Sequence, residues 1–402
     1  MHGYSTQSRF RTGLERSMND YLTGQNANLS TVLDTTLDRL KGATIEGNAM
    51  RLTLVPRAQR AAQNALGSRC GAVVALQPST GKVLVMASSP TYDPTLVEEH
   101  FGEVTGVRAD CSRPDALLNR ATAGLYAPGS TFKVLTAAAA IDSGRFKPDS
   151  RFVDPGYCEV YGKRVNNYDT SSPFGPIDLR DALKYSVNSV FCNIGKELGA
   201  KKLVEYMKRF GFYSTPPLET PSNERAPSGL YKGTKLFDPK EDTEVDPGRF
   251  AFGQERLLVT PLQMAMLAAT IANNGVVMRP YVVDRIISPS GSIVVRTAPQ
   301  DLGRAVKPET ARAIAEMMKE AVEGGTGTAA QISGITVGGK TGTAETGIAG
   351  LNTTWFIAYA GREQPDIAIA VVVEEQNSTG GATAAPVARD VLQALLGGSA
   401  NS

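Results

Sequence analysis

From about Arg51 the chain reads "RLTLVPRAQRAAQNALGSRC", a pattern that predicts a short strand followed by an alanine-rich helix. The main domain boundary is expected there, with residues 1–51 on one side and one large domain over 52–402 on the other. The next stretch, "GAVVALQPSTGKVLVMASSPTYDP", holds two apolar, β-branched runs joined by Pro78-Ser79-Thr80-Gly81, which predicts an antiparallel hairpin. "STFKVLTAAAAIDSG" follows a Pro-Gly pair, carries no charge from Val134 to Ile141 and ends in Gly144, as a helix buried on most sides would. Further helices are predicted over roughly Ser189 to Arg209 and over "TPLQMAMLAATIANNG", where Pro261 occupies the first turn and Gly275 follows the end. Three strands ("GITVGGKTGTA", "TTWFIAYAG", "DIAIAVVVEE") and a helix ("AAPVARDVLQALL") close the chain. Strands at both ends around a helical block predict an α+β domain whose N- and C-terminal strands share one mainly antiparallel sheet.

Composition narrows the class. The 402 residues, 42% of them apolar and 20% charged, supply a large core and exclude a disordered, collagen-like or disulfide-stapled mini-protein. The 42 Lys+Arg against 40 Asp+Glu leave a formal charge of +2, which gives no electrostatic reason to expect nucleic acid or a membrane surface as partner. No window approaches the eighteen or so apolar residues of a membrane span, and the first thirty residues lack the succession of a signal peptide. The polar start, with no capped element ahead of it, fits a fragment of a longer anchored protein.

Two scarcities direct the search for chemistry. Only His2 and His100 are present, so a multi-histidine metal site or histidine-centred triad is not expected, and the catalytic base should be another residue. The four cysteines, Cys70, Cys111, Cys158 and Cys192, form no CxxC pair, which argues against structural zinc and fits either buried thiols or one or two disulfides.

A serine with lysine three residues later at a helix start puts amine and hydroxyl on one face, and Ser130-Thr131-Phe132-Lys133 meets that demand. Its apolar surroundings should depress the lysine pKa so that the amine can accept a proton, while the helix N-terminus offers N–H groups to developing negative charge. Ser79-Thr80-Gly81-Lys82 has the same spacing but sits in a hairpin turn, where lysine stays solvated and charged. Ser186-Val187-Asn188, just before a helix, offers a hydroxyl for proton relay and an amide for a lysine or substrate carbonyl. Taken alone it is an N-cap motif, and Ser17-Met18-Asn19 shows the spacing recurring elsewhere. Lys340-Thr341-Gly342-Thr343, on a strand flanked by glycines, offers a cation and two hydroxyls to a substrate carboxylate, with Gly342 admitting close backbone approach. A glycine-rich bulge with a solvated lysine is the plain alternative.

Gly334 to Thr341, "GITVGGKT", also matches the G-x-x-x-x-G-K-[ST] phosphate-loop pattern. A phosphate loop must lead into a helix, and here β-branched residues fill the loop while "GTAETGIAGLNTTWFIAYAG" follows, so a P-loop nucleotide hydrolase is a remote alternative.

In order, S-x-x-K, S-x-N and K-T-G resemble the motif set of penicillin-binding proteins and serine β-lactamases. "LNRATAGLYAPGSTFKVLTAAAA", "GQERLLVTPLQMAMLAATIANNGVVMRP" and the "GGKTGTAE" and "WFIAYAG" segments resemble class B, monofunctional D,D-transpeptidases of the actinobacterial type, over roughly Leu52 to Leu396. The resemblance implies a mainly antiparallel five-stranded sheet flanked by helices with an all-helical subdomain, the serine β-lactamase and penicillin-binding transpeptidase fold. It makes 1–51 the remnant of a non-catalytic N-terminal (pedestal or dimerisation) domain whose membrane anchor is absent from this sequence.

It further implies that Ser130 attacks the penultimate D-Ala carbonyl of a peptidoglycan stem peptide, with Lys133 as general base, Ser186 as proton relay and Asn188 holding Lys133 and the substrate. Lys340, Thr341, Gly342 and Thr343 would bind the terminal carboxylate, and the backbone N–H groups of Ser130 and Thr343 would form the oxyanion hole. Neither metal nor organic cofactor is implied. β-Lactams would acylate the same serine, a glycosyltransferase would be a cell-wall partner, and the site would face the extracytoplasmic side of the bacterial membrane. Carboxypeptidase or β-lactamase hydrolysis and non-enzymatic β-lactam sensing are the alternatives within the same chemistry. One departure is Glu255, where most relatives carry glycine after Gly-Gln. Cys192 is expected to pack as a buried thiol behind Asn188, and Cys70 with Cys111 to form a bridge.

Overall fold

The two apolar runs near the start of the large domain form β1 (Gly71–Leu76) and β2 (Val83–Ser89), and the three late runs form β3 (Thr336–Glu345), β4 (Asn352–Gly361) and β5 (Ile367–Gln376). In this computed structural model, which describes residues 3–6, 11–25, 46–169 and 171–397, the five strands make one sheet in the order β3-β4-β5-β1-β2. Every neighbouring pair is antiparallel, with Val371 opposite Val73 joining the two ends of the chain.

Both faces of the sheet are covered, which is why β1 reads as an unbroken apolar run with all six residues buried. Alternate side chains separate two cores. Val73, Ala75, Phe356, Ala358, Ile369 and Val371 pack against α1 (Pro56–Leu66) and the C-terminal α6 (Ala384–Leu396). Val74, Leu76, Trp355, Ile357, Ala370 and Val372 join the larger core of α2 (Lys133–Asp142), α3 (Asn188–Arg209), α4 (Pro261–Ala272) and α5 (Pro308–Gly324). The helix α2 lies wholly inside this core except for Ile141, as its uncharged run requires. The α3 helix is kinked at Gly199, where φ is 76°.

The α+β class with a five-stranded antiparallel sheet stands, but the block between the strands is not all-helical. Ribbons pair Arg151–Asp154 with Gly175–Asp178 and Tyr157–Val160 with Lys163–Asn166, and a small sheet joins Gly229–Lys232, Lys235–Leu236 and Leu257–Leu258. These strands are too short and their turns too local to leave an alternation distinct from loop sequence. A strand over Ala49–Leu52 pairs with Val283–Ile287, so it straddles the expected 51/52 boundary, and residues 1, 2, 7–10 and 26–45 lie outside the described part. Among the described residues no helix is long and apolar enough to cross a membrane.

The cysteines form two disulfides. Cys70–Cys111 joins the residue before β1 to the loop after the hairpin, as expected, whereas Cys192 is bonded to Cys158 and is not a free buried thiol. Cys192 lies one helical turn past Asn188, and folding brings the ribbon strand carrying Cys158 against that face of α3; sequence spacing alone gives no hint of the pair.

Candidate active site

Ser130 lies in a 3-10 turn, Gly129–Phe132, that leads into α2, rather than in the first turn of an α-helix. The turn starts at Gly129 with φ of 51° and is closed by the Thr131 hydroxyl donating to the Pro128 carbonyl at 2.7 Å. At three residues per turn, positions i and i+3 eclipse, so Ser130 and Lys133 still share one edge. Gly129 N donates to the Gly253 carbonyl at 3.0 Å, which ties the Gly253–Arg256 loop to the serine's own turn.

Lys133 is fully buried, and its Nζ donates to Asn188 Oδ1 at 2.7 Å, to the Ser186 carbonyl at 2.7 Å and to Ser186 Oγ at 3.2 Å. The Phe191 ring lies below the same amine, 5.4 Å from its centroid. Burial pushes the Lys133 ammonium well below the ordinary lysine range, and the charge of Lys340 pushes it further the same way. Ser186 presents its carbonyl and hydroxyl together by adopting φ of 63°, a left-handed conformation that costs a serine roughly 1–2 kcal/mol.

Asn188 opens α3, and its Nδ2 donates to the Asn166 carbonyl at 2.9 Å. Beneath it, buried Asp154 accepts from Ser189 Oγ at 2.5 Å, from Asn167 Nδ2 at 2.9 Å, from Gly156 N at 2.9 Å and from Phe174 N at 3.0 Å. Asn167 Oδ1 accepts in turn from Ser189 N at 3.0 Å, so one carboxylate locks the Tyr157–Asn166 ribbon to the start of α3. Asp154 and Asn167 carry no motif and were invisible to sequence reasoning.

Lys340, Thr341, Gly342 and Thr343 lie on edge strand β3, opposite Ile357, Phe356, Trp355 and Thr354 of β4. Lys340 is fully buried, donates from Nζ to the Thr341 carbonyl at 3.0 Å, and is pushed by burial down to about 7. Thr343 Oγ1 accepts from Gly380 N at 3.2 Å. A Cβ at Gly342 would meet the Pro128 carbonyl oxygen at 2.8 Å and Thr131 Cγ2 at 2.9 Å, so glycine there lets the strand pack directly on the serine turn.

These segments converge on a cleft of about 1190 Å³ whose lining includes Ser130, Ser186, Asn188, Glu255, Thr341, Gly342 and Thr343. Glu255 has φ of 68°, a conformation that favours glycine, and its Oε1 accepts from Arg256 Nε at 3.2 Å. Ser79, Lys82, Ser17, Asn19 and His100 are not among the cleft residues: Lys82 pairs with Asp284 at 3.8 Å, and His100 Nδ1 lies 3.4 Å from Glu103. The strand running through Thr336–Glu345 occupies the place where a phosphate loop would need a helix, which removes the nucleotide reading.

The Transpeptidase model, described as the penicillin binding protein transpeptidase domain, matches residues 71–393. The chain is 35% identical to the peptidoglycan D,D-transpeptidase PbpA of Mycolicibacterium smegmatis, over 98% of this chain and 80% of that protein. It is 36% identical to PbpA of Mycobacterium tuberculosis, over 96% and 80%. The structure of penicillin-binding protein A from M. tuberculosis as a ceftriaxone acyl-enzyme complex superposes with a TM-score of 0.87 at 32% identity, covering 98% of this chain and 90% of that one. A fold, a three-motif cleft and a family match over most of the chain agree, and the chain belongs to the class B penicillin-binding proteins of the actinobacterial type.

Proposed function

We propose that this chain is a serine D,D-transpeptidase that cross-links peptidoglycan stem peptides through an acyl-enzyme on Ser130 and is acylated there by β-lactams. The observation that carries the assignment is the fully buried Lys133, depressed well below its ordinary pKa and hydrogen-bonded at once to Ser186 Oγ and Asn188 Oδ1. A neutral amine in that position accepts the Ser130 proton as Oγ bonds to the penultimate D-Ala carbonyl carbon. The backbone N–H groups of Ser130 and Thr343 receive the negative charge on the carbonyl oxygen. As the C–N bond breaks, Ser186 relays the proton from Lys133 to the leaving amine, and terminal D-Ala departs. Its carboxylate is held until then by Lys340, Thr341 and Thr343 across the strand at Gly342, while Asn188 keeps Lys133 in place. An amine from a second stem peptide then attacks the ester, loses its proton to the same lysine, and returns Ser130 to its starting state.

The two disulfides suit an oxidising compartment, which supports work at the extracytoplasmic face of the membrane, where a glycosyltransferase would be the cell-wall partner. Residues 1–51 are read as part of an N-terminal non-catalytic region and 52–402 as the transpeptidase domain.

Fluorescent penicillin is expected to label the protein covalently, with labelling lost in Ser130→Ala and kept in Ser79→Ala. Labelling that persists in Ser130→Ala would overturn the assignment. An acyl-enzyme surviving many minutes separates a transpeptidase from a β-lactamase, whose ester would be lost within seconds, and cross-linking of a defined stem peptide separates it from a carboxypeptidase and a sensor.

A further inference from the structure

We propose that Thr326 is a positioning residue for carboxylate recognition: it aims the Thr341 hydroxyl at the substrate's terminal carboxylate and sets the spacing between the Lys340–Thr343 strand and the Ser186–Asn188 turn. The proposal rests on the transpeptidase reading above and assigns a role outside its three motifs.

Thr326 follows the end of α5 in "EGGTGT", a glycine-broken stretch with no helix or strand signal. Its Oγ1 lies 2.7 Å from Thr341 Oγ1, and both residues line the cleft. Each hydroxyl carries one proton and can accept another. With Thr326 as donor, Thr341 accepts on its oxygen and its own proton is left to point into the cleft, where a carboxylate takes it. Among the described residues no other side chain is hydrogen-bonded to Thr341 Oγ1, so Thr326 is what holds the rotor in that direction.

The backbone of the same residue reaches the segment that leads into Ser186. Thr326 N donates to the Lys184 carbonyl at 3.3 Å, and Lys184 ends the helix Leu179–Lys184, two residues before Ser186. A Cβ on Gly325 would stand 2.5 Å from that Lys184 oxygen, so glycine permits the approach. From the other side Gly381 closes on the loop, its own virtual Cβ 2.7 Å from the Thr326 carbonyl oxygen. One threonine is therefore bonded through its backbone to the segment leading into Ser186 and through its side chain to Thr341.

The test compares acylation by a β-lactam bearing its free carboxylate with acylation by its methyl ester, in wild type, Thr326→Val, Thr326→Ala and Thr326→Ser. The acid-over-ester preference in the second-order rate should fall about fivefold in the valine and alanine variants, the size of one neutral hydrogen bond, and be retained in the serine variant. Melting curves establish which variants are folded, and either of the valine and alanine variants suffices. An equal loss of rate for acid and ester, as a general loosening of the cleft would give, overturns the proposal, and so does an unchanged preference. Failure of wild type to be labelled by either compound overturns the transpeptidase reading itself, and this proposal with it.

Discussion

Lys133 Nζ donates to Asn188 Oδ1 at 2.7 Å, across 55 positions of sequence. An amide oxygen there orients the lysine without adding charge. Replacing it by a carboxylate, in Asn188→Asp, places an anion beside a buried amine and favours the ammonium form. Acylation by a β-lactam at pH 7 should fall by an order of magnitude or more, about 10-fold at least, and recover as pH rises because the acid limb moves upward. A rate profile against pH with an unmoved limb would show that Lys133 is not the titrating base.

Burial of Lys340 has a cost that depends on pH. Its ammonium is pushed from 10.5 down to about 7, so between those values the unfolded chain binds more protons than the folded one and stability rises with pH. Below about 7 both states are protonated and the penalty is constant. The stability of wild type relative to Lys340→Met should therefore climb between pH 7 and about 9.5, with a slope of up to about 1.4 kcal/mol per pH unit. Denaturant unfolding of both proteins across that range measures it, and a flat difference would contradict the burial effect.

Asp154 supports the start of α3 from below. Burial alone would raise its pKa, but hydrogen bonds from Ser189, Phe174 N, Gly156 N and Asn167 outweigh it and hold the carboxyl below its ordinary value. Its contribution is therefore present in full above the ordinary aspartate range and is lost as pH falls below that range through the lowered value of the folded protein. Asp154→Ala strands several buried donors and should cost about 2–4 kcal/mol. Urea unfolding reads the stability, and a parallel drop in β-lactam acylation at matched folded fraction would show that Asn188 moves with it.

Glu255 holds φ of 68° on the cleft wall. Glycine would relieve roughly 1–2 kcal/mol of left-handed strain and return about 0.5–1 kcal/mol as unfolded-state entropy. Glu255→Gly should be more stable than wild type by about 0.5–1 kcal/mol, seen as a melting temperature higher by about 1 °C. A lower melting temperature would show that the Glu255–Arg256 contact outweighs the strain.

Local physics wrote the five strands of the main sheet, the main helices and the three motif segments into the sequence. Alternation splits β4 between two cores, Pro261 and Gly275 bracket α4, and each motif needs only a few neighbouring residues to be recognised. Resemblance across those segments was enough to name the family. The sequence also misdirected in three places: it made Ser130 the start of an α-helix where a 3-10 turn stands, it left Cys192 as a free thiol, and it made all-helical a block that carries ribbons.

What only the tertiary structure decided is nonlocal. Lys133 becomes a buried amine because Ser186, Asn188 and Phe191 close over it, and Lys340 depresses it further from a strand more than 200 positions away. Asp154, Asn167 and Thr326 gain roles from contacts that no periodicity encodes, because hydrogen-bond partners far apart in sequence are chosen by how the ribbons and the sheet pack. Sequence determined which residues could do the chemistry; packing decided which serine and lysine are desolvated together, and desolvation makes a lysine a base.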